Sequence, residues 1–127
     1  MAFEFFRAEN NDCPIEKEIV ATNATTYNHG CLVAFGDAGT AVTTSTNAEF
    51  VYTGKDTVAK TGDKLAVVPV LPEYEFETVF SADGSSLKAG AKVTTDGEKA
   101  TATTTSGIFQ ILTDGGVTGT KIVGRFA

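Results

Sequence analysis

Tryptophan is absent from the 127 residues, histidine occurs once, cysteine twice and proline three times. Each scarcity removes a class of function. Cys13 and Cys31 are too few for the disulfide framework that staples small secreted domains, so both are expected as reduced thiols. The lone His29 must be the base of any Ser-His-Asp or Cys-His arrangement. No run approaches the roughly 18 apolar residues of a membrane-spanning helix. The opening residues carry acidic Glu4 and lack the apolar core of a secretion signal, so a protein made in the cytosol and remaining soluble is expected. Positive charge is scarce too: Lys and Arg number 10 against 16 Asp and Glu, a net charge of −6. A surface of that sign repels phosphate backbones and lipid headgroups, and the cations form no run. No direct nucleic-acid or membrane partner is expected.

What is present is β-forming. Apolar residues recur mainly at period two in segments rich in Thr, Val, Ile, Phe and Tyr, whose branched or aromatic side chains suit a pleated, half-buried surface. This predicts strands at residues 16–22, 31–35, 41–44, 48–53, 65–70, 74–80, 91–94, 99–104, 108–113 and 120–126. Turn signals punctuate them at short spacing, among them Asn28-His29-Gly30, Gly62-Asp63, Ala89-Gly90, Asp96-Gly97 and Asp114-Gly115-Gly116. No long window holds a 3.6-residue period, and at most a turn of helix is expected at residues 57–61. Many short strands of this kind predict an all-β sandwich or small barrel in one domain, residues 15–127. No fixed-period sequence repeat is present.

Residues 1–14 stand apart as an N-terminal arm, in which Phe3, Phe5 and Phe6 precede a polar, turn-prone stretch. Such a cluster either folds back on its own domain or packs on a neighbour, and both remain open at this point. Pro69 and Pro72 each remove a ladder donor, which predicts an edge strand or a crossing between sheets, with the crossing placed there. Residues 101–106 are Thr-rich and polar, expected to be solvated on both faces unless another surface covers them.

Patterns that imitate catalytic sites are weak. Ser85-Ser86-Leu87-Lys88 and Lys60-Thr61-Gly62 match elements of penicillin-binding enzymes, but in the wrong order, in a chain too short, and with Ser85 in a turn rather than opening a helix. His29 and Cys31, two apart, would share a face of a strand and could join Cys13 around a metal, yet no further ligands complete a tetrahedron. A turn histidine and a buried thiol account for both. Glu73, Glu75 and Glu77 alternate with Tyr74 and Phe76, which puts the carboxylates about 7 Å apart on one strand face. That spacing overlaps the carboxylate gap of inverting glycosidases, but a solvated acidic face or a contact with basic residues of a partner explains it as well. Asn23-Ala24-Thr25 fits a glycosylation pattern that needs a secretory route. No cofactor or metal is expected, and a scaffold or binding role follows by elimination.

From Asn23 onward the chain resembles the head decoration, or capsid cement, proteins of tailed bacteriophages. The resemblance lies in the Thr/Ala/Gly-rich hairpins, in Lys60-Thr61-Gly62-Asp63-Lys64-Leu65-Ala66-Val67-Val68, in the stretch from Leu87 through Lys92 to Gly97, and in the ending Lys121-Ile122-Val123-Gly124-Arg125-Phe126. It implies a compact β-barrel or β-tulip-like domain without an active site. Such a domain is placed on the capsid exterior of the virion, adds to an expanded shell and clamps adjacent major capsid subunits, as a trimer or a dimer. Phe3, Phe5, Phe6 and Arg7 would suit docking on that partner, since aromatic anchors and Arg dominate interface energetics; Glu73, Glu75 and Glu77 form a second candidate contact. Another phage structural role, such as a tail-tube, head-completion or fibre-base protein, fits the same composition. A carbohydrate-binding module fits less well, because only Tyr27, Tyr52 and Tyr74 are offered for stacking on sugars.

Overall fold

The computed structural model describes residues 2–8 and 13–127, and among them it contains strands and turns but no helix. In chain order the strands are β1 (Glu4–Ala8), β2 (Lys17–Val20), β3 (Thr26–Tyr27), β4 (Leu32–Phe35), β5 (Ala41–Thr43) and β6 (Phe50–Tyr52). They continue with β7 (Thr57–Val58), β8 (Lys64–Pro69), β9 (Tyr74–Val79), β10 (Lys92–Val93), β11 (Phe109–Ile111) and β12 (Lys121–Phe126). One sheet has the order β1-β9-β12-β11-β10, a second β2-β8-β6-β4-β5, and β3 pairs with β7 in a small third sheet. All their ladders are antiparallel. The all-β, single-domain expectation holds, and a sandwich describes the layers.

The second sheet lies in the middle of the molecule, and its sequence says why. Strands buried on both faces read as continuous apolar runs rather than as alternation, and Leu32-Val33-Ala34, Phe50-Val51-Tyr52 and Val67-Val68 are such runs, each buried along its length. Leu32, Val51 and Val68 point toward the first sheet and join Phe3, Phe76, Phe80, Phe109, Ile111, Ile122 and Phe126 in one core. Val33, Phe50, Tyr52, Leu65 and Val67 belong to another core, which β3 and the end of β7 cover through Tyr27 and Ala59. The edges of this sheet curve toward each other until Ala21, after β2, and Ala41, in β5, form a single parallel bridge.

One turn recurs. Residues 28–31, 60–63, 88–91 and 117–120 each close with the fourth amide donating to the first carbonyl at 3.0 to 3.1 Å. The third residue of each is a glycine with φ between 79° and 97°, the geometry of a type II turn. Each turn is followed immediately by a strand, β4, β8, β10 and β12 respectively. The recurrence is one of backbone geometry, not of a fixed sequence period.

The crossing at the prolines is observed: β8 ends at Pro69 in the second sheet, and β9 begins at Tyr74 in the first. Three expectations need correction. The helical turn at residues 57–61 is instead strand β7 followed by a turn, because Val58 is exposed while Ala59 is buried and its amide donates to Thr25 O. The strand at residues 99–104 shrinks to Ala100, which bridges Phe80 on one side and Thr95 on the other; the Thr-rich residues 103–106 beyond it are exposed. Of the arm, residues 4–8 form β1, an edge strand of the first sheet, and Phe3 sits in the core. Folding back is therefore the alternative observed there, since the Phe3 ring buried against Phe109 and Phe126 and the Phe5 ring packed on Phe76 lose more apolar exposure than a free arm could. Residues 9–12 of the arm lie outside the described residues.

Candidate functional site

Strand β1 divides the candidate residues into two sets. It pairs with β9 in the register Glu4 to Glu77, Phe5 to Phe76, Arg7 to Glu75 and Ala8 to Tyr74, with a bulge at Phe6. An extra residue in one strand breaks the alternation and re-aims side chains. Phe5 consequently faces inward, edge-on to Tyr74 at 5.3 Å and to Phe76 at 6.0 Å, while Phe6 and Arg7, adjacent in sequence, are both exposed. Phe3 is 1% exposed, with its ring 5.1 Å from Phe109 and 5.2 Å from Phe126. Burial withdraws it from any partner, which corrects its expected role in docking.

Phe6 and Arg7 form a pre-arranged pair. The Arg7 guanidinium lies 5.5 Å from the Phe6 ring centroid, and its Nε donates to Glu75 Oε1 at 3.0 Å. Both contacts limit rotamer freedom before any partner arrives. Glu75 and Glu77 lie on the outer face of β9, half-buried, as their alternation with Tyr74 and Phe76 requires. Glu73 does not join them. It precedes the strand in a turn closed by the Tyr74 amide on Leu71 O at 3.0 Å, a turn that Pro72 favours.

His29 ties β1 to the second sheet. Its Nε2 lies 3.1 Å from Glu4 Oε1 and its Nδ1 lies 2.9 Å from Gly54 O. Both neighbours are acceptors, so both ring nitrogens are satisfied only when both carry protons. The Gly54 carbonyl and then the Glu4 carboxylate accordingly raise the pKa above its ordinary value of 6.5. The adjacent Gly30 accepts from the Phe3 amide at 3.2 Å. A side chain at Gly30 would meet Phe3 O at 2.6 Å, so β1 approaches this turn as closely as it does only because a glycine is there.

The metal and nucleophile patterns are not assembled. Cys31 is buried and Cys13 exposed, His29 spends both nitrogens as described, and among the described residues no three His, Cys, Asp or Glu side chains are grouped to hold a metal. Burial pushes the Cys31 thiol up to about 11, which leaves no thiolate at neutral pH. Ser85 takes part in an Asp83 turn, its amide donating to Oδ1 at 3.0 Å, and Lys88 faces Asp114 at 3.9 Å. Lys60 lies in the turn that leads into β8. The tyrosines are internal ties rather than platforms. Tyr27 donates to Ala41 O at 2.6 Å, Tyr52 donates to Lys55 O at 2.7 Å, and Tyr74 accepts from the Ile15 amide at 3.1 Å.

Two further grooves lie on the surface of the described residues. One of about 400 Å³ is lined by Thr26, Asn28, Thr43, Thr44, Asp96 and Glu98. The other, of about 360 Å³, is apolar and lined by Ala48, Val70, Pro72, Ile108 and Phe126. Sequence reasoning found Phe6 and Arg7 but missed the Glu4 and His29 contact and the cations of the first sheet, Lys92, Lys121 and Arg125. Those residues are distant in sequence and meet only through strand register. Compared with known proteins, the sequence matches no protein-family model and, at a significant level, no curated protein.

Proposed function

We propose that this chain is a non-enzymatic structural protein of a virion, one that attaches to the outer surface of an expanded tailed-phage capsid and stabilises it by clamping adjacent major capsid subunits. The observation that carries the proposal is the bulge at Phe6. It holds an exposed aromatic ring and an exposed guanidinium side by side on an edge strand whose other rings anchor it in the core. Interfaces concentrate aromatic residues and Arg at such positions. A bulged edge is also poorly suited to strand addition, so the contact is one of side chains. The resemblance to cement proteins supplies the partner, and many equivalent lattice sites would turn a modest contact into a durable one by avidity.

The proposal is tested by sedimenting expanded capsids, stripped of decoration, with the purified chain. Saturable co-sedimentation and a higher temperature of shell disruption are expected. Phe6→Ala with Arg7→Ala should weaken binding by at least about tenfold, the loss of roughly one hot-spot contact, while the variant keeps its own melting temperature. Wild-type protein that stays in the supernatant, or particles equally heat-resistant without it, would count against the proposal.

A further inference from the structure

One outward residue from each strand of the first sheet falls in a single row across it. The ladders set Arg7 of β1 opposite Glu75 of β9, Arg125 of β12 opposite Gln110 of β11, and Gln110 opposite Lys92 of β10. Between β9 and β12, Phe76 pairs with Gly124, and the same antiparallel register carried one residue on sets Glu75 beside Arg125. The row therefore runs Arg7, Glu75, Arg125, Gln110, Lys92 in the strand order of the sheet. With strands about 4.8 Å apart, it spans roughly 19 Å, and its two arginine positions stand about 10 Å apart.

The row is basic in a chain whose net charge is −6. Arg7, Arg125 and Lys92 are exposed, whereas the Glu75 side chain is largely covered and already accepts from Arg7 Nε at 3.0 Å. The one carboxylate is thus spent within the row. Arg125 is fixed too: its Nε donates to Gln110 Oε1 at 3.0 Å, and Gln110 Nε2 in turn donates to Gly90 O at 3.2 Å. A guanidinium bonded through Nε keeps its two terminal amino groups for a second partner, and that edge matches a carboxylate. Among the described residues no carboxylate lies within salt-bridge distance of Arg125 or Lys92. The next row along the strands holds Glu4, which faces His29, then Glu77 and Val123, and Lys121 lies beyond it. The three cations therefore form a line and not part of a broad basic field.

We propose that this row is a binding site for an acidic segment of another protein, one that lies across the strands and sets its carboxylates on Arg7, Arg125 and Lys92. Two of the three cations are held in place before the partner arrives, which lowers the entropy lost on binding. An extended segment rises about 3.3 Å per residue, so carboxylates three residues apart would meet the two arginines. Nucleic acid suits the row less well. At most three phosphates could be neutralised, too few to hold a polyanion against the chain's own negative charge, and the flanking Glu77 would oppose the rest of the backbone. The inference goes beyond the capsid proposal: it names the chemistry of the partner surface and stands on sheet register, whether or not that partner is a capsid.

The test titrates the purified chain with a capped oligoglutamate of about eight residues, long enough to span the row, and follows the amide and side-chain NMR signals. At about 0.02 M salt the shifts should concentrate at Arg7, Arg125, Gln110 and Lys92, and they should vanish at about 0.5 M. Lys92→Gln with Arg125→Gln should weaken binding about fivefold or more, and Lys92→Glu with Arg125→Glu should abolish it. The wild-type map and the neutral variant decide the matter if the charge reversal unfolds the chain. An oligothymidylate of equal charge should bind more weakly at the same residues; tighter binding would assign the row to nucleic acid and overturn the proposal. Shifts absent from the row, spread evenly over other surface cations such as Lys17, Lys64 and Lys88, or unchanged by the substitutions would overturn it as well. A chain that binds the peptide but no shell would leave this inference standing and remove the capsid reading.

Discussion

The two cores of this molecule differ in material and in cover. The one between the first and second sheets is built on phenylalanine: Phe126 packs on Phe3, Phe109 and Phe76 at ring separations of 5.2, 5.1 and 5.5 Å. It has a five-stranded sheet on either side. The other core mixes aliphatic residues with Tyr27, Tyr52 and Cys31, and its outer cover is a pair of two-residue strands with their flanking turns. Where cover is thin, hydroxyls do the fastening. Tyr27 accepts from the Thr22 amide at 2.9 Å and donates to Ala41 O, which lie where the two edges of the second sheet meet. The contrast teaches that apolar area and placed hydrogen bonds are alternative ways to close a small β layer, and that they should fail differently.

The largest effect is expected in the first core. Phe126→Ala removes the ring shared by three others and leaves a cavity between two broad sheets that collapse poorly around it. A loss of about 3 to 5 kcal/mol is expected, read as a fall in the denaturant midpoint. A loss below about 1 kcal/mol would show that the ring cluster is not the principal anchor.

In the second core the informative change is subtler. Tyr27→Phe keeps the ring and removes the hydroxyl, leaving the part-buried Thr22 amide without its partner, while Ala41 O retains the Thr22 hydroxyl at 2.7 Å. A loss of about 1 to 2 kcal/mol is expected, with faster amide exchange confined to Thr22 and its neighbours. Equal acceleration in the first sheet would erase the distinction between the cores.

The smallest effect is one of pH. The raised pKa of His29 means that the folded state holds this proton more tightly than the unfolded chain does. The stabilisation is therefore complete below the ordinary value of 6.5 and is lost as pH rises through the higher folded value. Both side chains of the His29 and Glu4 pair are half-exposed, so solvent weakens the effect. A slight decline in melting temperature from about pH 6 to pH 8 is expected, with exchange in β1 rising in parallel, and His29→Gln should flatten both.

Much of the fold was legible because the second sheet, buried on both faces, leaves apolar runs that no turn or helix explains. The crossing at Pro69 and Pro72 was legible for an equally local reason. What escaped is long-range or interrupted. The doublet Phe5-Phe6 hides β1, since the bulge cancels the period-two signal there. β3 and β7 have two residues each and no period to read. At the candidate site, Phe6 and Arg7 stood out as an aromatic beside a cation, whereas Phe3 looked the same and is core. Glu73 kept the spacing of Glu75 and Glu77 but fell in a turn. The cations on the outer face of the first sheet were illegible as neighbours, because Lys92 and Arg125 are joined only through Gln110 in the ladder.

The proposed attachment of this chain to a capsid is tested most directly by cryo-EM of expanded, undecorated shells incubated with the purified protein. Ordered density at lattice symmetry positions, with β1 and its Phe6 and Arg7 turned toward the shell, is the expected result. Bare shells, or density confined to a vertex or tail, would contradict it.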